Sequence, residues 1–218
     1  MEIRVSLALP FLVPAVFLTS CAYQVQPTSA PAMNVYSSYA EEIPGTWFLV
    51  MDESLGNVSR EIKPASYVCS ANRYPISVGD AIKTSVSTTL DSVFENVVER
   101  SSMPTREELI DGKSHGTVLV KLDTFDSAVR CQEGFWTGSC TANTDIKFGV
   151  IVNGVDGRLF GTSVGGTAIA DGDSGAACEG AASVISDSIS KSLRDSLERM
   201  GERLSNSVQL RKASEESE

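Results

Sequence analysis

The stretch that decides the fold runs from residue 144 to residue 169 and reads TDIKFGVIVNGVDGRLFGTSVGGTAI. Its first part alternates apolar with polar side chains, so that Ile146, Phe148 and Val150 share one face while Asp145 and Lys147 share the other. A period of two predicts a β-strand that buries one face. The following NGVDG is a strong turn signal, so the chain is predicted to return as a second strand.

Two further segments extend this hairpin into a sheet. Residues 117–131 alternate in the same way, and residues 46–51 form a continuous apolar run of strand length. Such a run is typical of a strand that is covered by other elements. We expect an antiparallel sheet of about four strands, with residues 52–68 and 101–116 as loops.

Two long segments have the period of a helix. Residues 77–100 place an apolar side chain at every fourth position, and Ser77 with Asp80 resembles a capping box. Residues 181–208 carry a second apolar stripe. Each stripe needs an apolar partner surface. We therefore predict an α+β two-layer sandwich of order β-α-β-β-β-α over residues 45–210, with both helices on one face, followed by a charged disordered tail over residues 211–218.

Composition limits the classes of function. The chain has 218 residues, of which 42% are hydrophobic and 21% are charged, with mean hydropathy −0.01. These values are typical of a globular protein and exclude wholly disordered and multi-span membrane classes. The net charge of −10 argues against a nucleic-acid partner. His115 is the sole histidine, which restricts metal and general-base chemistry, and we expect it to be exposed.

The N-terminal segment indicates export. An apolar run over residues 5–18 follows Arg4, but it is shorter than the roughly 20 residues that span a bilayer. It ends in Leu18-Thr19-Ser20-Cys21, which resembles the bacterial lipobox. That resemblance implies a signal peptide over residues 1–20 and acyl chains, such as palmitate, on Cys21. The alternative is an ordinary secretory signal with a chance cysteine.

Residues 22–44 have no periodicity and are predicted to be a flexible tether between the lipid and the domain. Alternatively, the tyrosines in this segment pack on the domain or at the membrane interface. Ala22 follows the predicted lipidation site, and by resemblance to bacterial sorting rules this favours the outer membrane, with the domain in the periplasm.

Four cysteines remain: Cys69, Cys131, Cys140 and Cys178. An even number in an oxidising compartment predicts two disulfides, for which three pairings exist. We favour Cys131–Cys140, which closes a glycine-rich loop, and Cys69–Cys178, which joins the starts of two helices. Free or partly paired thiols are the alternative. The chain has no CxxC motif, so a thioredoxin-like site or a zinc ribbon is not expected.

Three short motifs match parts of catalytic or calcium-binding patterns, but each lacks other features that such a site needs. Residues 161–165 (GTSVG) match the nucleophile elbow around Ser163, yet no histidine follows. Residues 172–175 (GDSG) resemble the serine motif of chymotrypsin-like proteases, with His115, Asp123 and Ser174 in that family's order, although a helix N-cap explains Ser174 more simply. The calcium pattern beginning at Asp171 fails at its later ligand positions. We expect no catalytic residue, no metal site and no cofactor.

The lipobox, the tether and the order of elements together resemble the small outer-membrane lipoproteins of envelope assembly, of the LptE-like or YajG-like type. The resemblance implies a non-enzymatic accessory or assembly factor that binds an envelope complex, such as an outer-membrane barrel, a transporter or an appendage. The alternative is a periplasmic lipoprotein that binds a lipid or a glycan.

Overall fold

A computed structural model describes residues 21–134 and 138–215 of the chain. The predicted signal peptide lies outside the described residues. In chain order the elements are β1 (Ile43–Met51), α1 (Glu53–Gly56), β2 (Ser59–Ile62), β3 (Tyr74–Ser77), α2 (Gly79–Asp91), β4 (Phe94–Arg100), α3 (Arg106–Asp111), β5 (Ser114–Gln132), β6 (Ser139–Gly154), β7 (Gly157–Asp173), α4 (Gly180–Ser205) and α5 (Val208–Glu215).

Five strands form the main sheet in the order β4-β1-β5-β6-β7. The long strands β5, β6 and β7 pair antiparallel, and Gly154 faces Gly157 across the predicted turn, which confirms the hairpin. In contrast, β1 lies parallel to both β4 and β5. The sheet is therefore mixed and five-stranded, and the prediction of a four-stranded antiparallel sheet is wrong.

The difference arises where the first predicted helix ends. Helix α2 stops at Asp91, and the chain returns to the sheet as β4, whose Val97 and Val98 are β-branched residues that favour strands. Because the connection from β1 to β4 passes through a helix, the two strands can run parallel. The prediction of one helix over residues 77–100 is therefore correct only over residues 79–91.

Helix caps also differ from the prediction. Val78 is the N-cap of α2 and makes no side-chain cap bond, while Ser77 ends β3, so the predicted capping box is wrong. A capping box does occur at α3, where Thr105 and Glu108 each accept a hydrogen bond from the other's backbone N–H. Residues 52–68 and 101–116, predicted as loops, contain α1 with β2, and α3 with the start of β5.

The main layer of helices covers one face of the sheet. Helix α4 packs along β6 and β7, and α2 lies beside it. The core between the layers contains fully buried Trp47, Phe94 and Phe148. On the opposite face, Phe48 is buried next to Gly112, which follows the short helix α3. The two-layer α+β arrangement is thus present, although not all helices lie on one face.

The segment predicted as a tether lies on the domain instead. Ala22 and Val25 form parallel bridges with Arg73 and Ile76, next to the two-stranded sheet of β2 and β3. Val25 and Ala30 are buried. The backbone N–H groups of Ala30 and Ala32 donate to side chains on α2, and that of Met33 donates to Glu198 on α4, so the backbone of the segment is bonded to the domain.

The C-terminal region is helical as far as it is described. Helix α4 ends at Ser205, and α5 follows over Val208–Glu215, where the sequence predicted a disordered tail. Arg211 donates to the carbonyl oxygen of Glu41, and its guanidinium lies over the ring of Tyr39 at 3.8 Å. In residues 21–134 and 138–215, no helix has the length and hydropathy required to cross a bilayer.

Candidate functional site

Cys21, the predicted lipidation site, is exposed and has no disulfide partner. Its carbonyl oxygen accepts a hydrogen bond from the Arg73 N–H at 3.1 Å. The Tyr23 N–H then donates to the Arg73 carbonyl at 2.9 Å, and the Val25 N–H donates to Pro75 at 2.9 Å. This ladder along β3 holds the backbone of Cys21 at the domain surface.

Two stacked tyrosines join this ladder to the start of α4. The rings of Tyr23 and Tyr74 lie 6.1 Å apart, and the Tyr74 hydroxyl donates to the carbonyl oxygen of Cys178 at 2.7 Å. Burial raises the pKa of Tyr74, so its phenol stays protonated and able to donate. Burial is also the main cause that raises the pKa of Tyr23.

Two disulfides lie beside the tyrosines. Cys69 is bonded to Cys178, and Cys131 is bonded to Cys140, which are the two pairs that the sequence analysis favoured. Cys131 and Cys140 face each other across β5 and β6. Cys178 lies just before α4, but Cys69 lies in the loop between β2 and β3 rather than at the start of a helix.

The sulfur atoms of Cys69, Cys131 and Cys140 all lie within 4.8 Å of one another. Three cysteines at such distances resemble a metal site. Metals bind the thiolate form of cysteine, however, and each of these sulfurs is used in a disulfide. In this oxidised form the cluster therefore offers no thiolate ligand and serves to join elements.

We call this region the cysteine end, defined by Cys21, loop 64–72, the Cys131–Cys140 pair and loop 174–178. The Cys131 N–H donates to Ser66 at 2.8 Å, and the Asn72 side chain donates to the carbonyl oxygen of Ala177 at 3.1 Å. These bonds tie loop 64–72 both to β5 and to loop 174–178. The sequence located the cysteines, but only the structure places Cys21 beside the disulfides.

The residues of the serine motifs are not brought together. His115 lies near the start of β5, half-buried against Trp47 with ring centroids 5.9 Å apart, so the prediction that it is exposed is wrong. Ser174 follows the far end of β7. The long strands separate these two ends by about 50 Å at 3.3 Å per residue. His115 and Ser174 therefore cannot act as one catalytic pair.

Each motif residue has a structural role of its own. Ser163 lies within β7, and its hydroxyl donates to Asp123 at 3.5 Å, so the strand–turn–helix geometry of a nucleophile elbow is absent there. Ser174 is buried and donates to the carbonyl oxygen of Gly175, whereas Glu179 is the N-cap of α4, so the N-cap prediction for Ser174 is wrong. Asp171 accepts a hydrogen bond from Thr141.

One cleft elsewhere on the surface is lined by charged side chains. This cleft of about 570 Å³ lies where the parallel strands β1 and β4 end, and it contains Asp52, Glu53, Lys83, Glu99 and Arg100. A hydrogen bond from the Ser54 N–H lowers the pKa of Asp52. Acidic and basic side chains alternate in this cleft, and none of them is buried. The cleft is therefore a solvated surface.

No family model matches the chain, and neither does any curated protein. Among solved structures, a DUF330 protein from Xanthomonas campestris has a TM-score of 0.42 and 9% identity, covering 90% of this chain and 99% of that chain. A minor lipoprotein from Acinetobacter baumannii has a TM-score of 0.37 and 10% identity, covering 73% of this chain and 90% of that chain.

A Helicobacter pylori protein described as a neuraminyllactose-binding hemagglutinin homolog has a TM-score of 0.44 and 7% identity, covering 89% of this chain and 95% of that chain. Likenesses this weak support no inference about function.

Proposed function

We propose that the protein is a bacterial lipoprotein whose acylated Cys21 anchors it in the outer membrane, and that it serves in the periplasm as a non-enzymatic accessory or assembly factor of an envelope complex. The observation that carries the proposal is the position of Cys21. It directly follows Leu18-Thr19-Ser20, and it is exposed at the start of a folded domain. Several acyl chains give the stable anchoring that a single chain cannot.

The two disulfides support the compartment. Disulfides persist in oxidising environments such as the periplasm and are rare in the cytosol. All four cysteines other than Cys21 are paired, and three of them are buried. Export of the unfolded chain to the periplasm is therefore consistent with both the lipobox and the paired cysteines.

A role in binding is supported by β7. This strand has 17 residues and is the last in the sheet, so one of its edges lacks a strand neighbour in the described part of the chain. Natural edge strands are usually protected by proline, lysine or other charges, but residues 159–170 contain no proline and no charged residue. Ile169 on this strand is 60% exposed. We infer that a partner pairs a strand with β7.

Lipidation is tested by expressing the full chain in a Gram-negative host and measuring the intact mass of the membrane fraction. We expect a chain that starts at Cys21 and carries acyl chains. The Cys21→Ala variant should move to the soluble fraction because it lacks the anchor. An unmodified N-terminus in the wild-type protein would contradict the proposal.

Partner binding is tested by affinity purification from gently solubilised envelopes. We expect the Ile169→Lys variant to lose co-purified envelope proteins, because an exposed lysine on an edge strand opposes strand pairing. The matched control is Val208→Lys, which changes a 50% exposed residue on α5. Equal recovery with both variants would exclude β7 as the binding edge, and recovery of the wild-type protein alone would contradict an assembly role.

A further inference from the structure

The backbone of Cys21 is fixed to the domain, which limits where the domain can lie once the cysteine is acylated. Because Cys21 and Tyr23 form hydrogen bonds with Arg73, no flexible linker separates the anchor from β3. Acyl chains on the Cys21 sulfur must reach the hydrocarbon of the bilayer. The surface that surrounds Cys21 is therefore held at the level of the lipid headgroups.

Two loops at the cysteine end form that surface. Residues 64–72 read PASYVCSAN and residues 174–178 read SGAAC, and neither loop contains a charged residue although 21% of the chain is charged. The Cys69–Cys178 disulfide and the Asn72–Ala177 hydrogen bond join the two loops. They therefore form one rigid surface next to Arg73, the partner of Cys21. The carboxylates of Asp173 and Glu179 lie at its edge, where they accept hydrogen bonds from the Gly175 and Ala177 N–H groups.

An aromatic side chain projects from this surface. Tyr67 is 92% exposed, although its backbone is held because the Ser70 N–H donates to its carbonyl oxygen at 3.2 Å. Tyrosine is favoured at the boundary between a bilayer and water, where its ring contacts lipid and its hydroxyl stays hydrated. An exposed tyrosine in an uncharged loop beside the anchor has the properties expected of an interfacial contact.

The opposite end of the molecule is also charged. There the turn between β6 and β7 carries Asp156 and Arg158, and α3 carries Arg106, Glu107 and Glu108. Arg106 forms an ion pair with Asp156 at 3.3 Å. Charged groups of this kind favour water over lipid. Charged groups occur at both ends, so the orientation follows from the fixed position of Cys21 and from Tyr67 rather than from charge.

We propose that loops 64–72 and 174–178 rest on the bilayer that holds Cys21, with Tyr67 among the headgroups. This inference rests on the proposed lipidation of Cys21. It assigns the cysteine end as the membrane-facing surface, and it directs the β6–β7 turn and α3 towards the periplasm. The Cys69–Cys178 disulfide then joins the two loops that lie closest to the membrane.

The test uses the full-length, lipidated protein in vesicles of phosphatidylethanolamine and phosphatidylglycerol. The photo-crosslinking residue p-benzoylphenylalanine replaces either Tyr67 or Tyr36. Tyr36 is a matched control because it is 76% exposed and its carbonyl accepts from Asn206, at the far end of α4. A helix of 26 residues separates that end from Cys178 by about 39 Å.

We expect lipid adducts at position 67 in at least about five-fold greater yield than at position 36, because only Tyr67 lies in the interfacial zone. Intact mass measured on the same sample reports acylation of Cys21. An unacylated Cys21 would contradict the proposed function itself. An acylated protein with equal yields at the two positions, or with no adduct at position 67, would overturn the membrane-facing assignment while leaving the anchor intact.

Discussion

Gly166 determines how closely α4 approaches the sheet. The Ser192 hydroxyl donates to the Gly166 carbonyl oxygen at 2.7 Å, and the Ser196 hydroxyl donates to Ile146 at 3.0 Å. Both serines are fully buried, so these bonds pair hydroxyl groups that would otherwise lower the stability of the folded state. A Cβ atom at position 166 would press against the Ser192 backbone. Small residues on both sides thus allow helix and sheet to meet directly.

Gly166→Ala should therefore lower the free energy of unfolding by about 1–3 kcal/mol, since overpacking forces the backbone to move. The loss of unfolding free energy is measured by urea denaturation of a chain that begins at residue 21 and carries Cys21→Ser. Gly161→Ala on the same strand is the control, because its Cβ would come no closer than 3.9 Å to Arg158. Equal stability of the two variants would show that α4 does not depend on this contact.

The two disulfides constrain segments of very different length. Cys69–Cys178 spans 109 residues, whereas Cys131–Cys140 spans 9 residues within one hairpin. In the chain-entropy account, a longer loop loses more freedom in the unfolded state when it is closed. Cys69 and Cys178 also have φ angles of 64° and 67°, in the left-handed region that residues other than glycine rarely adopt.

Replacing Cys69 and Cys178 together by alanine should therefore cost about 2 kcal/mol more than replacing Cys131 and Cys140. The two double variants differ only in which loop is opened, so each is the control for the other. Their unfolding free energies in urea, in the same Cys21→Ser background, decide the comparison. An equal or larger loss for the hairpin pair would show that loop length is not the main contribution.

The elements that the sequence predicted best are those whose pattern is local. The alternation in β5, β6 and β7 is regular, and the turn after Val152 is unambiguous, so the meander is confirmed. The apolar series of α2 continues at Phe94 with the same spacing of four, although Phe94 begins β4. Parallel pairing of β4 with β1 depends on contacts between distant segments and leaves no local period.

The candidate site was predictable to the same extent. Cysteine number and hairpin spacing favoured the two pairs, but not the clustering of Cys69 with the hairpin pair. The sequence does not indicate where Cys21 lies, because the apolar residues of its segment, among them Val25 and Ala30, follow no period of 2 or 3.6. Their partners are the remote β3 and α2, which the sequence of the segment does not reveal.

At the scale of the whole molecule, residues 21–42 act as a strap along the domain. From Cys21 the strap follows β3, the Ala30 N–H donates to Ser85 on α2 at 2.8 Å, and the Ser38 N–H donates to Asn206 after α4 at 2.7 Å. One end of the strap is Cys21, the proposed anchor, and the other reaches the far end of α4. Force on the proposed lipid anchor would therefore be shared among several elements rather than borne by one terminus.

Removing the strap, so that the chain begins at Ile43, should lower the free energy of unfolding by at least about 3 kcal/mol, since it uncovers apolar surface and removes the hydrogen bonds that Ser85 and Thr89 accept from it. Because the truncated chain could fail to fold, point variants provide a second measurement. Val25→Ala should cost about 1–3 kcal/mol, whereas Met33→Ala, at a residue that is 69% exposed, should leave the urea midpoint unchanged. If the truncated chain were as stable as the one that begins at residue 21, residues 21–42 would be a flexible tether after all. The domain would then be free to leave the membrane surface.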